Sequence, residues 1–425
     1  MINIFKKTAY NIKIYLVLAT LCKMILVFLF YQHAIVYDNG RPVVAKEFGW
    51  GELVSNMHQG KYEMTTQTGL TQIDMSSPGR PPIYAGMLYA VTYWTPYPAA
   101  ILVFIQSIIT SLVAYIGYKI VKTTTNNEKL AIWCLIVLFI FPMNFLKSGT
   151  IDEAPLTLVF ILTGVYFLGQ YLKDNRKISF LILSGAMLGL SILTRGQAMP
   201  IAFGIVLYLF LRKPFLHNYK HAIIFMLICA CIIAPWKLRS YYIKGKTELV
   251  VGSSSNRLFL VTQSEDFIRS FPNESIDVIE RRYLKSFIES HEYLKELDSG
   301  SLGAEFKRLA ISEAINNPLK YFRAFITRLK VFIPYRYYPV LHSVPRDIIY
   351  VSWYGGALLF FFWSIFKWRS KKPENIVLLI CIFGWILPGF ICFIGSRHLY
   401  PFIVFMIIYS FVAFPYSSNH ISSTK

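Results

Sequence analysis

The sequence predicts an all-α integral membrane protein, a polytopic bundle of about 10 (roughly 9–12) transmembrane helices with interfacial helices and a small α-rich external segment. Three observations lead to this class. Hydrophobic residues make up 55% of the 425 residues, and the mean hydropathy is +0.46. Charged residues make up only 16%, whereas a soluble chain carries about 25%. Finally, ten apolar runs are long enough, or nearly long enough, to cross a bilayer.

The ten apolar runs set the order of the predicted spans along the chain. They occupy residues 12–31, 97–121, 129–147, 153–172, 178–194, 198–212, 221–237, 348–366, 375–394 and 398–415. The run at 198–212 is short, which favours a tilted or partly re-entrant helix.

Two long polar segments interrupt these runs and divide the chain into three parts. Residues 1–237 form a predicted transmembrane module that includes a first external loop at 32–96. Residues 238–347 form an external, mostly helical segment, and residues 348–425 form the C-terminal transmembrane helices. Within the first external loop, amphipathic and aromatic-rich stretches around 48–57 and 83–94 predict two helices at the membrane surface.

Basic residues cluster in alternate connections between the spans, which predicts the orientation of the chain. They are Lys6 and Lys7, then Lys119, Lys122 and Lys129, then Lys173, Arg176 and Lys177, then Arg212, Lys213 and Lys220, and finally Lys367, Arg369, Lys371 and Lys372. Because such loops remain in the cytoplasm, both termini are predicted to be cytoplasmic. The same bias accounts for the net charge of +20, and no nucleic-acid-binding motif accompanies it.

The opposite, outer side receives an acid pair, Asp152 and Glu153, at the start of a predicted span. One acid at this place is typical of a helix cap, and Pro155 suits the first turn that follows. A second carboxylate at a membrane boundary is costly, so capping explains the pair less well. Both acids are therefore candidate catalytic residues, and a capping role for one of them stays open.

Arginines lie on the same predicted side as the acids. Three of them close outer helix ends and one lies in the first external loop: Arg195, Arg239, Arg397 and Arg80. Each alone is explained as a favourable cation at a helix C-terminus or as a lipid anchor. Together with the carboxylates, they predict a site that binds a lipid phosphate in bidentate fashion and deprotonates an acceptor hydroxyl.

Charged residues are few at the centres of the predicted spans, which argues against a transport path through the bundle. Lys23 is the main exception, and we expect its ammonium to reach the membrane surface along the first helix. Gly185 and Gly189 form a GxxxG pattern that predicts close packing of their helix against another.

The ordered set of motifs resembles the GT-C superfamily of polytopic glycosyltransferases, nearest to bacterial relatives of protein O-mannosyltransferase and lipid A aminoarabinose transferase. The resemblance covers almost the whole chain. It is carried by NMHQG at 56–60, RPPIY at 80–84, IDEA at 151–154, the helix at 185–195, PWKLR at 235–239, the Asn-Pro element at 310–321 and the RHLYP turn at 397–401. His398 stands where the family more often has tyrosine.

The resemblance implies an enzyme that moves a hexosyl or pentosyl group from a polyprenyl-phosphate donor, such as undecaprenyl phosphate, with inversion. The acceptor would be a glycan, lipid or protein of the cell envelope, at the outer face of the bacterial inner membrane. A first-loop carboxylate would be the base, Glu47 before Glu52, with Asp38 third. Glu153 would take the second acidic position.

The donor phosphate would be held by the arginines named above with Tyr84 and His398. Some members of the family place a divalent metal ion beside the acids and others do not need one, so the metal ligands stay open. No other cofactor is implied.

Two other functions fit parts of the pattern. An O-antigen-type polysaccharide polymerase also needs external arginines and a lipid phosphate, but it usually pairs Arg-rich loops without an acidic first loop. A lipid-linked oligosaccharide flippase needs polar groups at mid-depth along a path.

Overall fold

The computed structural model describes residues 14, 16–27, 29, 36–38, 41–43, 50–59, 81–94, 98–173, 177–212, 215–244, 259–260, 262–263, 276–297, 299–332, 344–367, 373–392 and 399–414. Helices dominate these residues, which confirms the predicted class of all-α membrane protein with one small departure. The departure is an antiparallel hairpin of β1 (Val36–Asp38) and β2 (Arg41–Val43), in which Val36 lies opposite Val43.

The helices follow the predicted order. They are α1 (Leu16–Val27), α2 (Trp50–His58), α3 (Pro82–Trp94), α4 (Pro98–Thr125), α5 (Glu128–Ile140), α6 (Pro142–Gly149), α7 (Ala154–Lys173), α8 (Ile178–Thr194), a 3₁₀ turn (Gly196–Ala198), α9 (Met199–Leu211), α10 (Phe215–Lys244), α11 (Ile276–Glu289), α12 (Glu292–Lys295), α13 (Ser299–Asn316), α14 (Pro318–Phe332), α15 (Val344–Phe366), α16 (Pro373–Cys392) and α17 (Leu399–Ala413).

Three of the described helices are long and apolar enough to cross a membrane by themselves, namely α4, α7 and α10. The bent pair α5 and α6 counts as a fourth if the two are one span. Shorter apolar helices, including α1, α8 and α17, lie at other predicted spans. The number of about ten spans therefore stays a prediction.

The span predicted at 129–147 is wrong as one continuous helix. Helices α5 and α6 meet at Phe141 with a bend of 49°. Phe141 has φ −57° and ψ 119°, outside the helical region, because the ring of a following proline disfavours the α conformation. Pro142 then occupies the first turn of α6, where its missing N–H costs nothing.

The expectation that the Lys23 ammonium reaches the membrane surface is also wrong. Its side chain is only 1% exposed, and its Nζ donates a hydrogen bond of 2.5 Å to Thr110 Oγ1 on α4. A buried hydroxyl acceptor thus holds the amine inside the bundle.

The predicted close packing at the GxxxG pattern is confirmed, and it orients the helices that carry the arginines. A Cβ at Gly185 would lie 3.1 Å from the Phe225 carbonyl oxygen, and one at Gly189 would lie 2.8 Å from the Ile232 Cβ. Since the earlier glycine meets the earlier part of α10, α8 and α10 run parallel. Arg195 and Arg239 therefore lie at the same end of the bundle.

Two smaller apolar clusters belong to the predicted external segments. Leu53 of α2 packs with Tyr84 and Leu88 of α3 against Leu102 and Ile151, so the helices of the first loop lie beside the start of α7. Helices α11 to α14 lie within the segment 238–347, which was predicted to be mostly helical. Phe259, Ile288 and Phe306 form part of a separate core in this segment.

Candidate functional site

The acid pair lies in the connection between α6 and α7, residues 150–153, which we call the acid turn. Asp152 Oδ1 accepts a hydrogen bond of 2.8 Å from the Ala154 N–H, the first N–H of α7. Glu153 precedes the helix directly, and its carbonyl accepts from the Thr157 N–H at 3.0 Å. The capping role left open for one acid therefore belongs to Asp152.

Two cations surround the acid pair. Lys147 Nζ forms an ion pair and hydrogen bond with Asp152 Oδ2, and the lysine side chain is almost fully buried. Arg195 Nη1 lies 3.2 Å from Glu153 Oε1 and 3.9 Å from Asp152 Oδ1. The four side chains, Lys147, Asp152, Glu153 and Arg195, balance in charge and are called the charge quartet below.

Asp152 is ionised in this environment. Burial by itself would raise its pKa, but the charges of Lys147 and Arg195 and the hydrogen bonds from Lys147 and the Ala154 N–H outweigh burial. The net effect lowers the pKa of Asp152 below its usual value. Asp152 is thus a saturated, capping carboxylate, which makes it a poor proton acceptor.

Two contacts outside the quartet hold Arg195 in place, and a further hydrogen bond fixes the glutamine that it contacts. Its Nε donates to Gln197 Oε1 at 3.2 Å, and Gln197 Nε2 donates to the Trp385 carbonyl at 3.1 Å. Its guanidinium carbon also lies 5.7 Å from the centroid of the Trp385 ring, a cation–π contact. Arg195, which directly follows α8, therefore packs against α16. These contacts fix the orientation of its guanidinium.

Tyr84 of α3 joins the site through Gln106 of α4. Gln106 Nε2 donates to Tyr84 Oη at 2.9 Å and to the Thr150 carbonyl of the acid turn at 2.7 Å. Burial, followed by the charges of Asp152 and Glu153, raises the pKa of Tyr84 well above its ordinary value. Tyr84 thus remains a neutral phenol beside the acids.

The structure brings together four of the predicted site residues, namely Tyr84, Asp152, Glu153 and Arg195. Arg239 lies at the same end of the bundle, with its guanidinium carbon 4.9 Å from the centroid of the Trp236 ring. In the part of the chain that the structure describes, the ion-pair partners of the acid pair are Lys147 and Arg195, and Arg239 is not among them.

The remaining predicted site residues lie outside the described residues or have side chains outside them. Four of them lie outside the described residues, namely Glu47, Arg80, Arg397 and His398. Glu52 lies on α2 and Asp38 on β1, but only their backbone is described. Their roles stay predictions.

Sequence reasoning missed Lys147, Gln106, Gln197 and Trp385. Lys147 lies at the end of the apolar run 129–147, where no site residue was predicted. Its position five residues before Asp152, across the end of α6, was the signal that could have paired the two. Gln106 and Trp385 are distant in sequence from the acids, and a single sequence carries no sign of those contacts.

The described residues of the site do not fit a metal-binding set. No three His, Cys, Asp or Glu side chains lie together within the described ranges. Both oxygens of Asp152 already accept hydrogen bonds, Oδ2 from Lys147 Nζ and Oδ1 from the Ala154 N–H.

The arrangement can hold an anion and a polar group side by side. Glu153 is the more exposed acid, at 18% against 12% for Asp152, and among the described residues its ion-pair partner is Arg195. Arg195 follows the last residue of α8, and its guanidinium can donate two hydrogen bonds to the oxygens of a phosphate.

Residues 80–238 match a protein-family model described as dolichyl-phosphate-mannose-protein mannosyltransferase. The matched segment contains all four members of the charge quartet, with Tyr84 and Gln106. No curated protein matches the chain.

Two solved structures share the fold of this chain. One is the archaeal oligosaccharyltransferase AglB from Archaeoglobus fulgidus in complex with an inhibitory peptide and a dolichol-phosphate, with a TM-score of 0.54 at 13% identity over 96% of this chain and 50% of that chain. The other is the Archaeoglobus fulgidus oligosaccharyltransferase in complex with Zn and sulfate, with a TM-score of 0.51 at 15% identity over 94% of this chain and 48% of that one.

This chain thus spans about half the length of the solved structures that it matches. The family match over residues 80–238 and the shared fold both support membership of the GT-C superfamily.

Proposed function

We propose that the chain is a membrane glycosyltransferase that moves one sugar from a polyprenyl-phosphate donor to an acceptor on the outer face of a bacterial inner membrane, with inversion. The observation that carries the proposal is the charge quartet at one end of the bundle, inside the segment that matches the mannosyltransferase family model. The dolichol-phosphate in the AglB structure supports a lipid-phosphate donor.

The proposed reaction divides its tasks between the two sides of the site. A first-loop carboxylate, Glu47 or Glu52, takes the proton of the acceptor hydroxyl as its oxygen attacks the anomeric carbon. The bond from that carbon to the donor phosphate breaks, and the polyprenyl phosphate leaves with the electron pair. Arg195, with Arg80, Arg239 and Arg397, stabilises the charge that develops on the leaving phosphate.

Within the acid turn, the geometry assigns different tasks to the two carboxylates. Asp152 is saturated by Lys147, Arg195 and the Ala154 N–H, so it positions the turn. Glu153 keeps Arg195 oriented with one oxygen and is the acid more accessible to a ligand hydroxyl. Tyr84, a neutral phenol next to both, suits a hydrogen bond to the donor.

The first prediction tests this division with a transfer assay on purified protein in nanodiscs. Wild type is given a panel of labelled polyprenyl-phosphate sugars with glycan, lipid and peptide acceptors, and released polyprenyl phosphate is measured. We expect turnover that falls about 10²- to 10⁴-fold in Glu47→Gln or Glu52→Gln, whichever is the base. We also expect a loss of at least about tenfold in Glu153→Gln, because the Arg195 fork loses its charged partner.

Glu128→Gln is the matched control. Glu128 also pairs with a lysine, Lys122, but at the other end of α4, and its loss is expected to leave turnover within about twofold. If folded wild type releases no polyprenyl phosphate from any donor, the proposal fails. The same preparation is then given lipid-linked oligosaccharides, where chain lengthening would indicate a polymerase and translocation a flippase.

A further inference from the structure

Lys23 on α1 is a buried cation to which the proposed reaction gives no task. Its side chain lies on the inward face of α1, whereas Val17, Leu18 and Leu21 are exposed on the outward face. In the described part of the chain, no carboxylate lies within ion-pairing distance of its Nζ. Burying an ammonium without a counter-ion in a membrane protein is costly, so its presence calls for a physical reason.

The contacts of Lys23 converge on the break between α5 and α6. Its Nζ lies 5.5 Å from the ring centroids of both Phe139 and Phe145. Phe139 is next to the last residue of α5, and Phe145 lies in the first turns of α6. The ammonium therefore contacts both sides of the 49° bend, with two cation–π contacts.

A chain of hydrogen bonds continues from Lys23 into α6. Lys23 donates to Thr110 Oγ1, and Thr110 Oγ1 lies 2.8 Å from Ser148 Oγ. Ser148 Oγ in turn lies 2.6 Å from the Asn144 carbonyl oxygen, so the chain of contacts reaches the backbone of α6. Ser148 is the neighbour of Lys147 in the last turn of α6.

Helix α4 carries a second link one turn away. Thr110 Oγ1 lies 3.0 Å from the Gln106 carbonyl, and the Gln106 amide holds the Thr150 carbonyl of the acid turn. Both ends of the connection from Ser148 to Thr150 are thus tied to the helix that Lys23 contacts. Lys147 lies directly before this connection and Asp152 lies two residues after it.

We propose that Lys23, Thr110, Phe139, Phe145 and Ser148 form a clamp that sets the direction of α6, and that Lys23 is a positioning residue for the acid turn. The inference deepens the proposed function and, for its effect on turnover, rests on it. Lys23 acts through α6 and touches no substrate.

The energetics of buried charge separate this role from a merely structural one. Replacing a buried charge by an apolar side chain of similar volume is often neutral or stabilising. Lys23→Met should therefore keep the unfolding temperature within about 3 °C of wild type or raise it. Turnover should nevertheless fall about tenfold to a hundredfold with little change in KM, because a small displacement of the acid turn misplaces the reacting groups. Lys23→Arg, which retains the charge and a donor, should recover part of the turnover.

A second readout does not depend on activity. Hydrogen–deuterium exchange of the peptide covering residues 142–153 should be faster in Lys23→Met than in wild type, because α6 loses its clamp. Thr110→Val removes only the hydroxyl and should also speed exchange of this peptide. It provides the test if Lys23→Met fails to fold. Lys122→Met, which breaks an ion pair at the other end of α4, is the control and should leave this peptide unchanged.

Wild-type exchange rates across 142–153 in both Lys23→Met and Thr110→Val would overturn the clamp, whether or not the wild type transfers a sugar. A fall in unfolding temperature that fully accounts for the lost turnover would also overturn the positioning role. Faster exchange in a protein whose wild type transfers nothing would support the clamp and remove the proposed function instead.

Discussion

At the scale of single residues, the two adjacent acids of the acid turn differ in how accessible they are to a ligand. Asp152 and Glu153 are adjacent in sequence, yet Asp152 is enclosed by Lys147, Arg195 and a backbone N–H. Glu153 is more exposed, and within the described ranges its ion-pair partner is Arg195. The difference arises because Asp152 turns back onto α6, and it leaves Glu153 as the acid available to a ligand.

A second prediction concerns the pH dependence of stability. The folded-state pKa of Asp152 is depressed, so its contribution is complete above the unfolded value of about 3.9 and is lost as pH falls through the folded-state pKa. Between about pH 5 and pH 3, the unfolding temperature of the wild type in detergent should thus fall more steeply than that of Asp152→Asn. Parallel curves for the two proteins would contradict the prediction.

At neutral pH, Asp152→Asn leaves Lys147 buried without its counter-ion, which should cost about 3–5 kcal/mol. The matched control is the double variant Lys147→Met with Asp152→Asn. It removes both charges while an amide can still cap α7, and it should recover most of the lost stability.

At the scale of elements, the ends of helices and the contacts between helices position the residues of the site. A break at Pro142 starts α6, whose last turn carries Lys147 to Asp152, and the close contact between α8 and α10 places Arg195 and Arg239 at the same end of the bundle. The sequence signals for both were present, since GxxxG predicted the contact and an X-Pro pair disfavours a continuous helix. The interpretation of 129–147 as one span gave hydrophobicity more weight than the proline.

A third prediction tests the contact of α8 with α10. Gly189→Ala places a methyl 2.8 Å from the Ile232 Cβ, close to the α10 backbone, so the helices must separate. We expect a loss of about 1–3 kcal/mol in unfolding free energy. Transfer should also be reduced, because Arg195 closes α8.

Gly86→Ala is the control for this variant. Gly86 also lies within a helix, α3, but a Cβ there meets nothing within 4 Å. Since alanine has the higher helix propensity by about 1 kcal/mol, this change should be neutral or stabilising. Equal destabilisation by the two substitutions would show that the α8–α10 contact does not limit stability.

At the scale of the whole molecule, the distribution of charge and the fold support one orientation. The predicted spans place the Lys- and Arg-rich connections on one side, and the charge quartet then lies on the other. Lys122 pairs with Glu128, and Lys173 lies 3.5 Å from Glu374, at the ends of helices that lead away from the quartet. We therefore expect the site to face the outside of the cell.

A fourth prediction tests this orientation and the number of spans with reporter fusions. Green fluorescent protein, which fluoresces in the cytoplasm, should report when fused after residues 175, 213, 370 or 425. Alkaline phosphatase, which is active outside, should report after residues 196, 263 or 290. A C-terminus on the outside, or activity of phosphatase after residue 175, would contradict the arrangement of ten spans.

The sequence by itself determined the class and the order of the helices, and it predicted a site on the outer side. Composition and runs of apolar residues report the solvent that a chain prefers, and motif order reports the superfamily. It also predicted Tyr84, Asp152, Glu153 and Arg195 as site residues, and the structure brings these four together. These predictions depend on local patterns, which a single chain displays without its neighbours.

Only the tertiary structure decided which acid is enclosed, which cations enclose it, and where Lys23 points. Gln106 and Trp385 reach the site from α4 and α16, and Lys23 of α1 reaches Thr110 of α4. These contacts depend on how the helices pack. A buried ammonium and one that reaches the membrane surface have the same local sequence. Lys23 is buried because a hydroxyl and two aromatic rings inside the bundle contact its ammonium. The packing of many residues places these groups.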